Sequence, residues 1–103
     1  MAFTKQIDTY TVVYSANMFQ PRIGLKQGAV FIGQCVFHPN GTALPPDLLR
    51  QNGQVDLQYH LDDFQNVLDL LRNEKPVFLN FNGVGAENNV NTSPENVGDG
   101  DKP

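Results

Sequence analysis

The feature that most constrains this chain is a change of apolar period at Leu61, reversed after Pro76. Val55, Leu57 and Tyr59 alternate with Asp56, Gln58 and His60. That beat of two gives a strand one apolar and one polar face. From Leu61 the apolar residues fall instead at Leu61, Phe64, Val67, Leu68 and Leu71, the spacing of one helical face. Asp62 and Asp63 occupy the first turn, where free amides and the helix dipole favour carboxylates. Asn73 suits a helix end, and Pro76 cannot continue a helix. Val77, Leu79 and Phe81 then share a face opposite Phe78, Asn80 and Asn82. The stretch from Gln54 to Asn82 therefore reads strand, helix, strand. A helix of about 12 residues is about 18 Å long, enough to lie across strands spaced about 4.8 Å apart. The expected fold is α+β: a four- to five-stranded antiparallel or mixed sheet with one main helix packed on one face. The two flanking strands are either parallel, through a right-handed crossover, or antiparallel with others between them.

The remaining strands come from composition and turn chemistry. Thr9–Ala16 is rich in β-branched and aromatic residues and reads as a strand. Arg22–Leu25 is a short second strand, followed by a turn at Lys26-Gln27-Gly28 in which Gly28 takes a positive φ. Ala29–His38 is the longest apolar run. Strict alternation places Ala29, Phe31, Cys35 and Phe37 on one face and Val30, Ile32 and Val36 on the other. Gly33 within it marks a bulge or a close backbone approach. Pro39–Gly53 reads as a long loop with one helical turn near Pro46–Arg50, either a lid or a cover that packs Leu44, Leu48 and Leu49 on the sheet. Residues 1–6 show little pattern.

At 103 residues the chain makes one domain. The expected division is a single α+β domain over residues 1–82 and a Gly/Asn-rich acidic tail over 83–103. The tail is too poor in large apolar groups to offset its own ordering entropy. Its net charge is −3 and that of the body −1, making up the −4 of the whole chain. Neither part offers the basic stripe that phosphate contacts need, so nucleic-acid binding is not expected. No run of about 18 apolar residues is present, so no membrane span is expected. The N-terminus lacks a signal-peptide apolar region, and the lone Cys35 makes no intrachain disulfide. The expected setting is the cytoplasm.

From Tyr59 to Gly83, YHLDDFQNVLDLLRNEKPVFLNFNG, the chain resembles a family of small uncharacterised bacterial proteins, and the likeness continues around Thr92–Gly98. The resemblance implies a bacterial single-domain protein and carries no functional residue with it.

No chemistry-bearing motif stands out. Cys35 and His38 are three apart, which puts them on opposite faces of a strand. His38, His60 and nearby aspartates lack the roughly four convergent ligands of a zinc site. Gly83-Val84-Gly85 lacks the third glycine and following helix of a dinucleotide fingerprint. Two function classes follow, with no cofactor and no metal in either. The first is a non-enzymatic protein-interaction or assembly module, a homodimer or a partner of another protein. Its interface would use strand-borne apolar residues on the uncovered face: Val30, Ile32, Val36 and Phe78. The alternative is a small-ligand binding domain or modest enzyme with a pocket between the sheet and the 39–53 loop, lined by His38, Asp56, Tyr59 and His60.

Overall fold

A computed structural model describes residues 2–94 and 97. The elements are β1 (Phe3–Ile7), β2 (Thr9–Val13), β3 (Arg22–Gln27), β4 (Val30–His38), β5 (Leu48–Leu49) and β6 (Val55–His60). A 3₁₀ turn (Leu61–Asp63) then leads into α1 (Phe64–Asn73), followed by β7 (Val77–Phe81) and β8 (Asn89–Thr92). The chain is mostly strand with one helix, as the change of period predicts. The strands divide between two sheets, however. Five form the order β2-β3-β4-β6-β5, and three form β1-β7-β8. The strands either side of the helix thus belong to different sheets, an arrangement outside both sequence alternatives.

The division begins at Asp8. Residues 3–13 are one extended segment whose first half pairs with β7 and whose second half pairs with β3. Asp8 stands at the corner, donating its amide to the Lys26 carbonyl at 2.7 Å and accepting the Gly28 amide on its carboxylate. Gly28 has φ +57°, as the turn requires. β1 escapes the period argument because Lys5 occupies an inward-leaning position between Phe3 and Ile7. Its stem lies along the sheet and its ammonium stands 4.7 Å from the Phe3 ring centroid.

One core joins both sheets and the helix. Ile23 and Leu25 of β3, Cys35 and Phe37 of β4, Val55 and Leu57 of β6 pack with Val67 and Leu71 of α1 and with Val77, Leu79 and Phe81 of β7. Leu61, Phe64 and Leu68 lie partly buried against the same cluster. Phe64 meets Phe37 edge-on, with ring centroids 4.8 Å apart, and Phe37 stacks on Tyr59 at 5.5 Å. The helix start is tied to the loop before β5: Asn40 accepts the Asp62 amide at 2.8 Å and donates to its carboxylate at 2.9 Å. This satisfies one of the free amides of the first turn from outside the helix.

β4 departs from strict alternation. Leu25 pairs with Gly33 and Lys26 with Phe31, so Ile32 is the extra residue of a bulge. The bulge turns Ile32, 2% exposed, into the core beside Cys35. It sends Phe31 to the outer face, where its ring covers Gly24. The two-face reading of this strand is therefore corrected at Ile32 and Phe31. The expected helical turn near Pro46–Arg50 is also absent. Leu48–Leu49 pairs antiparallel with β6 as a short edge strand, closed by bonds from the Arg50 amide to the Gln54 carbonyl and from the Gly53 amide to the Arg50 carbonyl. The free edge of β6 gives Leu48 and Leu49 backbone partners as a strand instead. Leu49 packs on the core while Leu44 and Leu48 stay exposed.

β8 pairs with β7 across Val77–Asn80, and Val90 packs against the core, so the folded unit runs past Asn82 to Thr92. The rest of the expected tail lies largely outside the described residues.

The bulge falls at Ile32, and Gly33 beside it is the close approach. A Cβ there would sit 2.5 Å from the Val55 carbonyl oxygen. We expect Gly33→Ala to destabilise the fold by about 1–3 kcal/mol, because backbone, not a mobile side chain, must yield. Urea unfolding checks this; a change below about 0.5 kcal/mol would show that β6 can shift at no cost.

Candidate functional site

The outer face of the five-stranded sheet, opposite the core, carries a row of polar residues at matched register. The parallel pairing of β4 with β6 sets Gln34 beside Asp56, Val36 beside Gln58 and His38 beside His60. The antiparallel pairing of β3 with β4 sets Arg22 beside Val36. Over this grid the 15–21 loop folds from one side and the 39–53 loop from the other. Between them is a groove of about 410 Å³ lined by Phe19, Gln20, Arg22, Gln34, Val36, His38, Pro45, Arg50, Asp56 and Gln58.

Its polar groups divide into engaged and free. Asp56 is only 5% exposed, and its carboxylate is fully occupied. It accepts from Gln34 Nε2 at 3.1 Å, from Arg50 Nε at 3.3 and 3.1 Å, and from Arg50 Nη2 at 2.5 Å. The hydrogen bonds to Asp56, then its charge, raise the Arg50 pKa. This group fastens the β5–β6 hairpin to the sheet. His38 Nε2 donates to Gln58 Oε1 at 2.6 Å. Arg22 is different. Among the described residues its guanidinium has no hydrogen-bond partner, and its Nη1 is buried. Its nearest companion is the Phe19 ring, whose centroid is 5.8 Å from Cζ, a cation–π distance. Arg50 and Asp56 cancel in charge, so Arg22 carries the uncompensated positive charge of the groove.

Of the four residues expected to line a pocket, His38 and Asp56 lie in this groove. His60 shares the outer face but is committed elsewhere, donating from Nε2 to the Thr42 carbonyl at 2.7 Å. Tyr59 points to the other side, stacked on Phe37. Burial is the main cause that pushes its hydroxyl pKa above the ordinary range, followed by the nearby Cys35, Asp47 and Asp63. The four expected interface residues do not meet. Ile32 is in the core and Val36 in the groove. Val30, 64% exposed, sits at the hairpin end, and Phe78 is on the three-stranded sheet.

Cys35 lies on the core face. Burial, with a smaller contribution from Asp47, pushes its thiol up to about 12, so at neutral pH it is protonated and enclosed. It is no nucleophile for this groove. Among the described residues no cluster of three or more His, Cys, Asp or Glu side chains has the geometry to hold a metal ion. A larger hollow of about 720 Å³ lies where the helix end meets the β1–β2 corner, lined by Gln6–Tyr10 and Leu71–Val77. Among its described side chains none has a buried polar atom left without a partner, which is why the sheet groove is the better candidate.

Arg22 and Arg50 escaped the sequence reading because neither belongs to a patterned stretch with a firm face. Arg22 opens a strand of only six residues that contains a glycine, and Arg50 falls just past a two-residue strand. Gln58 was legible in principle, since it stands two residues from both Asp56 and His60 on the same face; Gln34 stands four residues from His38 on its face. Searches against family models, curated proteins and solved structures find no match for this chain.

The two arginines should behave differently. Arg50→Met removes three of the four hydrogen bonds to the buried Asp56 carboxylate. It should lower the melting temperature, and adding Asp56→Asn should recover part of the loss by removing the stranded charge. Calorimetry on the single and double variants checks this. A double variant less stable than Arg50→Met would mean that Asp56 is stabilised by something other than Arg50.

Proposed function

We propose that this chain is a non-enzymatic binding module that takes a small ligand in the groove between the outer sheet face and the 39–53 loop. The observation that carries this is the make-up of the groove. An apolar floor at Val36 and apolar walls at Phe19 and Pro45 are ringed by polar side chains from three strands and two loops. That combination, in a hollow of a few hundred Å³, is what small-molecule sites share. The way the polar groups are used supports the non-enzymatic reading. His38 is bonded to an amide rather than a carboxylate, Asp56 is fully paired, and the one thiol faces the core. A bacterial setting belongs to the same proposal and rests on the resemblance.

Thermal-shift and amide NMR screening with small polar organic compounds tests the reading. We expect compounds that raise the melting temperature to perturb the amides of Val36, His38 and Gln58. If no compound at millimolar concentration perturbs them, the groove is not a binding site.

Self-association is a second reading, favoured by one observation. Tyr14, Met18 and Phe19 are all strongly exposed within one short loop, and Val30 stands out at the β3–β4 hairpin. Such exposure is unusual for large apolar side chains and marks contact surfaces when contiguous. A second copy of the chain is the occupant in this reading. Sedimentation at about 100 μM should then give a dimer that Met18→Ser with Phe19→Ser dissociates. A concentration-independent monomer removes this reading.

A further inference from the structure

We infer that the ligand of the groove carries a carboxylate on an apolar body, and that Arg22 binds the carboxylate. The inference rests on the groove being a ligand site and deepens that reading. Among the described residues Arg22 is the groove cation whose charge no carboxylate meets. Its Nη1 is closed off from solvent, but Nε and Nη2, which also have no acceptor among the described residues, are not buried and form the edge a carboxylate can meet, whereas Arg50 bonds Asp56 through Nε and Nη2. A guanidinium presents paired N–H groups in the plane and spacing of a carboxylate. Phe19 stands beside the arginine, 5.8 Å from ring centroid to Cζ, a cation–π distance. The body of the ligand follows from what surrounds the charge. Val36 is the neighbour of Arg22 across the strand pair, and Phe19 and Pro45 form walls. A compact oxyanion with no body, such as phosphate, would satisfy Arg22 and leave that surface uncovered. On the far side, His38 and Gln58 are bonded to each other and leave further donor and acceptor positions.

Three probes separate the parts of the claim: benzoate, with charge and body; benzamide, with the same body and no charge; and inorganic phosphate, with charge and no body. Each is titrated into the full chain while the amides of Val36 and His38 and the Nε–Hε signal of Arg22 are followed by NMR. Benzoate should shift all three signals and bind about tenfold tighter than benzamide, the worth of one charge-assisted contact. Phosphate should bind more weakly than benzoate. Arg22→Gln should reduce benzoate to the level of benzamide, and Arg22→Lys, which keeps charge but loses the planar fork, should fall between. The Arg22 side-chain signal in the unaltered protein decides the matter even if the variants do not fold. Equal binding of benzamide and benzoate, or an Arg22 signal that benzoate leaves unmoved, overturns the carboxylate assignment while the groove stands. Phosphate binding as tightly as benzoate overturns the apolar body. Silence of all three probes at the groove amides overturns both this inference and the groove reading.

Discussion

A missing atom holds this structure together. Only a residue without a side chain lets the β4 backbone come so close to Val55, since a Cβ at Gly33 would stand 2.5 Å from the Val55 carbonyl oxygen. The parallel ladder between β4 and β6 starts at that contact and runs six residues in unbroken register. Everything on both faces depends on it. On the inner face it aligns Cys35 with Leu57 and Phe37 with Tyr59, which gives α1 an apolar surface to cover. On the outer face it aligns Gln34 with Asp56 and Val36 with Gln58, which gives the groove its floor. A slip of one residue would exchange the two faces and place Asp56 among the aliphatic side chains.

The bulge one residue earlier does complementary work. β4 has nine residues and is hydrogen-bonded on both edges, yet its apolar residues do not alternate regularly. By admitting Ile32 as an extra residue, the strand puts Ile32 on the core face with Cys35 and Phe37 and sends Phe31 to the outer face, the reverse of regular alternation. Phe31 then fills the space above Gly24, so both glycines on the central strands have a packing reason. Sequence alone identified Gly33 as a probable point of departure from regularity through its position inside an apolar run, but not which neighbour would change face.

The legible part of the fold is the part written in period. The change at Leu61 located the helix to within three residues, and the alternation before and after it located β6 and β7. What escaped was written in pairing. β1 has a lysine at an inward position, β8 is asparagine-rich, and β5 is two residues long. None has an intrinsic pattern strong enough to name it a strand. Each forms because a neighbouring edge offers unpaired backbone groups, and those edges exist only after the long strands have met. The candidate site divides the same way. His38 and Asp56 were recoverable because they sit on patterned strands at their ends or polar beats. Tyr59 was placed on the wrong side of its own strand for a pocket with His60, a conflict already contained in the alternation that puts Tyr59 with Val55 and Leu57.

The two groove arginines show why pairing rather than charge marks a functional group. Arg50, about half exposed, meets the near-buried Asp56 carboxylate, and an ion pair with an exposed partner stabilises little on its own. Its value is positional: it pins the β5–β6 hairpin so that Pro45 stands as a wall. Arg22 has no such task. A buried donor without an acceptor costs roughly 1–3 kcal/mol, and nothing in the packing of β3 requires an arginine there, since the residue across the strand pair is a valine. A leucine or a threonine would cover Val36 as well and leave no donor stranded. The Nε and Nη2 of Arg22 have no acceptor among the described residues and are not buried, so that edge of the guanidinium is where the fold's described interactions end and, on the reading proposed, those with a ligand begin.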